Sequence, residues 1–261
     1  MNLFKSMAIS FSLYSKIPMP TFEWDEKNYK HAIAFLPLVG IIIGYISSLV
    51  MLIMDNMEFP EFVVTIAMTL IPMIITGGFH LDGFMDVQDA LHSYQDKEKK
   101  LQIMKDPHIG AFAVIGAGML LLTWLGASYL MIRRAFDSRM TAVLDVYYAS
   151  FCLVRAFCGI TSIAFPHAKE DGMLSMETKK SGALDICILT VFAAASGAYM
   201  VYKNINFGIA AIIALAVFSF WYKGKCKKEF GGVTGDTAGF YVVAGEAVIL
   251  VVLAILSGVM L

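Results

Sequence analysis

Residues 32–54 and 109–132 each run for more than twenty positions without an Asp, Glu, Lys or Arg, and 62–79 does so for eighteen. Runs of about 17–25 apolar residues match the hydrocarbon thickness of a bilayer, whereas a transmembrane β-strand needs only about 9–11. In lipid, every backbone amide must be satisfied within its own segment, so stretches this long fold as helices. Two further runs, 186–202 and 205–222, are separated by Lys203 and Asn204 alone, which predicts a tight helical hairpin. The segments 140–165 and 237–261 are apolar but interrupted, the first by Asp145 and Arg155, the second by Glu246. The expected fold is therefore all-α: a polytopic membrane helix bundle of six to seven transmembrane helices. Composition agrees. The chain is 58% hydrophobic and 16% charged, against about 45–50% and about 25% in soluble domains.

The remaining segments complete the expected topology. Leu3, Phe4, Met7, Phe11 and Tyr14 recur at helical spacing with no small-residue cleavage site behind them, so residues 1–17 read as an interfacial helix and not a removed signal. Placing the N-terminus in the cytoplasm puts 15 Lys residues on the inner side and leaves Arg133, Arg134, Arg139 and Lys203 outside. That asymmetry follows the positive-inside rule and predicts an inner-membrane protein whose loops 80–108, 166–182 and 223–236 face the cytoplasm. No linker divides residues 1–261, so one integral membrane domain is expected. Net charge −1 gives no bias toward nucleic acid. Cys152, Cys158, Cys187 and Cys226 lack paired spacing and imply neither disulfides nor a zinc site.

The polar residues that remain gather on that inner side. In "GGFHLDGFMDVQDALHS", Asp82, Asp86 and Asp89 follow an apolar run at offsets of four and three, which places them within roughly 60° of one another on a helix. Three like charges on one stripe call for a cation, and oxygen-only donors favour Mg²⁺ shared with substrate phosphates. "KDPHIGAF" supplies Lys105 as a phosphate partner. "GGVTGDTAGF" offers Gly231, Gly232, Thr234 and Gly235 as flexible backbone and hydroxyl donors for phosphate oxygens, with Asp236 as a base or second metal ligand. Glu246 lies roughly 15 Å farther along the same helix and has two readings, an anionic substrate contact or an ion pair with Arg155. His80 and His92 are general-base candidates by their intrinsic pKa; a helix that includes position 80 turns His80 away from the aspartate stripe.

"GGFHLDGFMDVQDAL", "MKDPHIGAF" and "GGVTGDTAG", in that order, with "FSLYSKIPMP", "FLPLVGIIIG" and "PHAKEDGM" elsewhere, resemble the cobalamin synthase family, the adenosylcobinamide-GDP ribazoletransferases. The likeness covers nearly the whole chain. It implies a Mg²⁺-dependent transferase joining adenosylcobinamide-GDP to α-ribazole or its 5′-phosphate, with release of GMP. By the same resemblance, His80, Asp82 and Asp236 are catalytic candidates. Asp82, Asp86 and Asp89 would hold metal, and Lys105, Arg155, Gly231, Gly232, Thr234, Gly235 and Glu246 would bind substrate. A homo-oligomer is compatible with the sequence. Two rivals are weaker. A CDP-alcohol phosphotransferase requires an Ala-Arg pair after its Asp-Gly, and here Asp82-Gly83 is followed by Phe84 and Met85. A transporter would line a midplane path with Asp145, Arg155 and Glu246.

Overall fold

The computed structural model describes residues 2–20, 26–138, 141–168, 173–178 and 181–259. Five short helices and seven long ones account for most of them. The short ones are α1 (Leu3–Tyr14), α2 (Glu26–Tyr29), α5 (Phe79–His92), α6 (Lys97–Ile103) and α9 (Met173–Thr178). The long ones are α3 (Leu36–Asn56), α4 (Glu61–Thr76), α7 (Ala111–Ser138), α8 (Ala142–Ala164), α10 (Ala183–Lys203), α11 (Ile205–Glu229) and α12 (Gly235–Val259). Six long helices are long and apolar enough to cross a bilayer, and the bent pair α4–α5 raises the number to seven. We read α4, about 24 Å long at 1.5 Å per residue, as that seventh span, with α5 outside it. Among the described residues the only extended pairing is a single bridge between His167 and Val233.

The sequence places the α4–α5 break at two glycines. Gly77 and Gly78 have φ of +64° and +80°, a conformation that glycine adopts at little cost, and the chain turns by 93° across them. Helix α5 then crosses the first turns of α12 and α7 in succession. Gly83 lies against Asp236 and Gly239 against His80, while Asp89 accepts hydrogen bonds from the Gly110 and Ala113 amides at 2.7 and 2.8 Å.

A set of short links gathers the polar segments at that same end of the bundle. Lys16 N–H donates to Ile75 O, His31 pairs with Asp185 at 2.7 Å, and Lys100 meets Glu229 at 2.5 Å. Ala168 N–H donates to Val233 O, and Val233 N–H to Pro166 O. At the opposite end Asp145 and Lys203 pair at 3.0 Å, and Arg133 lies 3.5 Å from Asp137. The expected grouping of loops at one end is thus present for the described part of 166–182; Lys169, Lys179 and Lys180, like Arg139, lie outside the described residues.

The first helix forms where expected, and one loop needs revision. Helix α1 occupies most of the expected 1–17 segment, with Ser6, Ala8, Ile9, Ser10, Phe11 and Tyr14 buried and Leu3 and Phe4 exposed. The apolar pair therefore turns outward, as suits a helix resting against lipid, and the small serines allow close packing on the bundle. Helix α11 continues past residue 222 to Glu229, so Lys223, Lys225, Lys227 and Lys228 ride on a helix instead of a loop.

Candidate active site

The crossing of α5 over α12 builds the site. A Cβ on Gly83 would lie 2.8 Å from Asp236 O and 3.0 Å from Asp236 Cα, and one on Gly239 would lie 3.0 Å from His80 O. Only glycines let the two backbones approach this closely, and the approach sets Asp82 beside Asp236. A cleft of about 310 Å³ opens there, lined by Asp82, Lys105, Thr234, Gly235 and Asp236, with Phe79 and Leu174 as apolar walls. Asp86 stands one turn farther along α5. Burial, followed by the charges of Asp82, Asp236 and Asp89, pushes its carboxyl up to about 6. Four carboxylates from two helices are thus within electrostatic reach, with Lys105 exposed on the same cleft.

The loop before α12 is held from behind. Gly232 is buried where a side chain would strike the backbone of residues 166–168, and Gly231 has φ +85°. Neither lines the cleft; their role is to let the loop dock on segment 166–168. The Thr234 hydroxyl accepts from Thr237 N–H at 3.1 Å and Thr237 Oγ1 accepts from Thr234 N–H at 2.8 Å, a reciprocal cap that starts α12. The Thr234 hydroxyl hydrogen remains available to an acceptor in the cleft. A side chain at position 235 would meet open space, so Gly235 leaves the cleft unobstructed on that side.

Other expected site residues are placed differently. Both Asp89 oxygens accept amides at the start of α7, so this carboxylate is engaged as a cap. Arg155 and Glu246 are each 1% exposed and pair at 2.5 Å, with Arg155 also donating to Phe151 O. Of the two sequence readings of Glu246, the ion pair is the one present. Asp145 is paired at the far end, so the three charges of the transporter reading do not form one path. His80 does not line the aspartate cleft. It is buried on the other side of α5 beside Tyr14, and burial, then the positive charge of Arg155, holds it well below the usual imidazole range. His92 stacks on Phe112 at 4.8 Å.

Sequence reasoning passed over Lys16. Its aliphatic chain fills the space beside Gly77, and it lines a second opening that also reaches Asp82. Nothing in the local pattern around residue 16 separated it from an orientation lysine. Among the described residues, no three His, Cys, Asp or Glu side chains are drawn together as a ready metal cage. That donor set still fits Mg²⁺, which takes one or two carboxylates and completes its octahedron with phosphate oxygens and water.

Residues 6–254 match the family model described as cobalamin-5-phosphate synthase. The chain is 32% identical to an adenosylcobinamide-GDP ribazoletransferase from Lachnoclostridium phytofermentans, over 100% of this chain and 97% of that protein. It is 36% identical to one from Clostridium botulinum strain Alaska E43 over 95% and 96% of the two chains. A third, from Geobacillus kaustophilus, is 29% identical over 92% of each. No solved structure matches the chain.

Proposed function

The chain belongs to the cobalamin-5-phosphate synthase family, and from that premise we propose that it is a membrane-embedded adenosylcobinamide-GDP ribazoletransferase. It joins the GDP-activated cobinamide to α-ribazole or its 5′-phosphate and releases GMP. The observation that carries this reading is the α5–α12 crossing, which sets Asp82 beside Asp236 on a cleft that also holds Lys105.

A ribose hydroxyl of the ribazole attacks the phosphorus that bears cobinamide; its new P–O bond forms as the bond to GMP breaks. The hydroxyl proton passes to Asp236, the carboxylate that α12 directs into the cleft. Lys105 neutralises the charge growing on the departing phosphate, aided by the amide of Gly235 and the Thr234 hydroxyl. Asp82 and Asp86 are the residues that would hold Mg²⁺, since Asp89 is taken up at α7. When bound, the ion would screen the negative charge of the diphosphate. His80, away from the cleft, is not assigned the base role. The substrates are charged, so the site end faces the cytoplasm in this reading, which the lysine asymmetry of the loops supports.

The test is stoichiometry. Purified protein in lipid nanodiscs, given adenosylcobinamide-GDP, α-ribazole and Mg²⁺, should release one GMP for each cobalamin formed. Guanine nucleotide released without cobalamin, or neither product, would refute the assignment.

A further inference from the structure

Beside the aspartate cleft lies a second cavity of about 200 Å³, and the two share Phe79, Leu174 and Gly235 in their walls. The second is almost entirely apolar, bounded by Tyr14 from α1, Tyr29 from α2, Leu36 from α3 and Cys158 from α8. Its polar lining residues include Ser162 and, on α5, His80. The ring is 4% exposed and lies 6.2 Å from the Tyr14 ring at an interplanar angle of 16°. Its Nδ1 is buried without a hydrogen-bond partner. A buried polar nitrogen left unpaired is costly, so native interiors rarely keep one unless a ligand or water completes it.

We propose that this cavity is the base subsite of the acceptor, holding a fused bicyclic aromatic ring whose unsubstituted ring nitrogen accepts a hydrogen bond from His80 Nδ1–H. The inference rests on the transferase reading above and adds to it the part of the substrate recognised here. Three features favour this occupant over the other ring systems of the reaction. A cavity this small excludes the corrin. Guanine would bury several edge donors and acceptors against walls that offer it few partners. A benzimidazole-type base is apolar over both faces and both flanks, and it needs one donor. The shared wall at Gly235 then brings the ribose toward Asp236, where its hydroxyl reacts.

Tyr14 and Tyr29 come from the N-terminal helices, which assigns them a task that no motif around the aspartates expresses. They would close the subsite from the side of α1, with the His80 ring packed in line behind Tyr14. Acceptor specificity is thereby carried by residues other than the aspartates and Lys105 of the adjoining cleft.

The experiment compares two acceptors in wild type and His80→Phe: α-ribazole, and its 5,6-dimethylindole counterpart, in which CH replaces the ring nitrogen. Wild type should show a KM for the indole riboside about tenfold higher or more, the worth of roughly one hydrogen bond, with the KM for adenosylcobinamide-GDP unchanged. His80→Phe should raise the KM for α-ribazole to the same level and abolish the preference, and His80→Gln should restore part of it. Equal KM values for the two acceptors in wild type would overturn the proposal without reference to any variant's folding. A His80→Phe effect confined to the KM of adenosylcobinamide-GDP would also overturn it. Loss of cobalamin formation by wild type with every acceptor would instead defeat the underlying transferase reading.

Discussion

Gly83→Ala is the substitution whose effect the geometry defines best. The added methyl would meet Asp236 O at 2.8 Å and Asp236 Cα at 3.0 Å, while carbon contacts are optimal at about 3.5–4.0 Å. Helices α5 and α12 must therefore part by roughly 0.5–1 Å. Both obstructing atoms are backbone, so no rotamer change relieves the clash. The stability terms oppose each other: overpacking costs about 1–3 kcal/mol, and replacing a mid-helix glycine by alanine returns about 1 kcal/mol. Catalysis has no such offset. Asp82 and Asp236 sit on the two helices being separated, and a misplacement near 1 Å costs on the order of 10²-fold. The variant should fold, with a melting temperature a few degrees lower at most, yet turn over roughly 10- to 100-fold more slowly. Gly118→Ala, on a face of α7 with open space around it, should keep wild-type turnover. Thermal unfolding and steady-state kinetics on the same nanodisc preparations make the comparison. Wild-type turnover by Gly83→Ala would show that the crossing does not position the reacting groups.

Asp82→Asn and Asp86→Asn should each lower turnover by orders of magnitude with membrane insertion intact; Asp89→Asn should instead destabilise by about 1 kcal/mol through the lost cap on α7, read by thermal unfolding. Glu246→Gln should destabilise by about 3–5 kcal/mol because it leaves Arg155 buried and unpaired, and the double change Arg155→Met, Glu246→Met should recover most of that loss. For Asp236→Asn, raising Mg²⁺ should not restore the rate if the residue is the base, whereas partial rescue would make it a metal ligand. In a cysteine-free background, Cys at Asn56 or Asn204 should label from outside, and Cys at Ser93 or Gly231 should not; outside labelling at Gly231 would break the one-sided site.

The sequence foretold the spans well because hydrocarbon thickness and backbone satisfaction are one-dimensional constraints: 32–54 became the segment ending in α3, and 205–222 became most of α11. The break at Gly77-Gly78 was not read: hydropathy carried the span through to residue 79, whereas two adjacent glycines with positive φ end α4 at Thr76 and turn the chain. What the chain could not reveal by itself was lateral placement. Asp89 shares a stripe with Asp82 and Asp86, and its engagement by Gly110 and Ala113 depends on how α7 approaches. Gly83 and Gly239 look like ordinary helix glycines until α5 and α12 are laid across each other. The burial of Phe11 and Tyr14 on the bundle while Leu3 and Phe4 stay exposed has the same origin: periodicity identifies an apolar face but not which part of it protein covers.

The carboxylates of α5 should hold a divalent ion together with the substrate diphosphate. Mn²⁺ can replace Mg²⁺ as a paramagnetic probe, with protein and adenosylcobinamide-GDP present and α-ribazole withheld so that no turnover occurs. Electron paramagnetic resonance should then report bound Mn²⁺ with coupling to phosphorus, lost on substituting both Asp82→Asn and Asp86→Asn in folded protein. Equal Mn²⁺ binding and phosphorus coupling in that double variant would contradict the assignment.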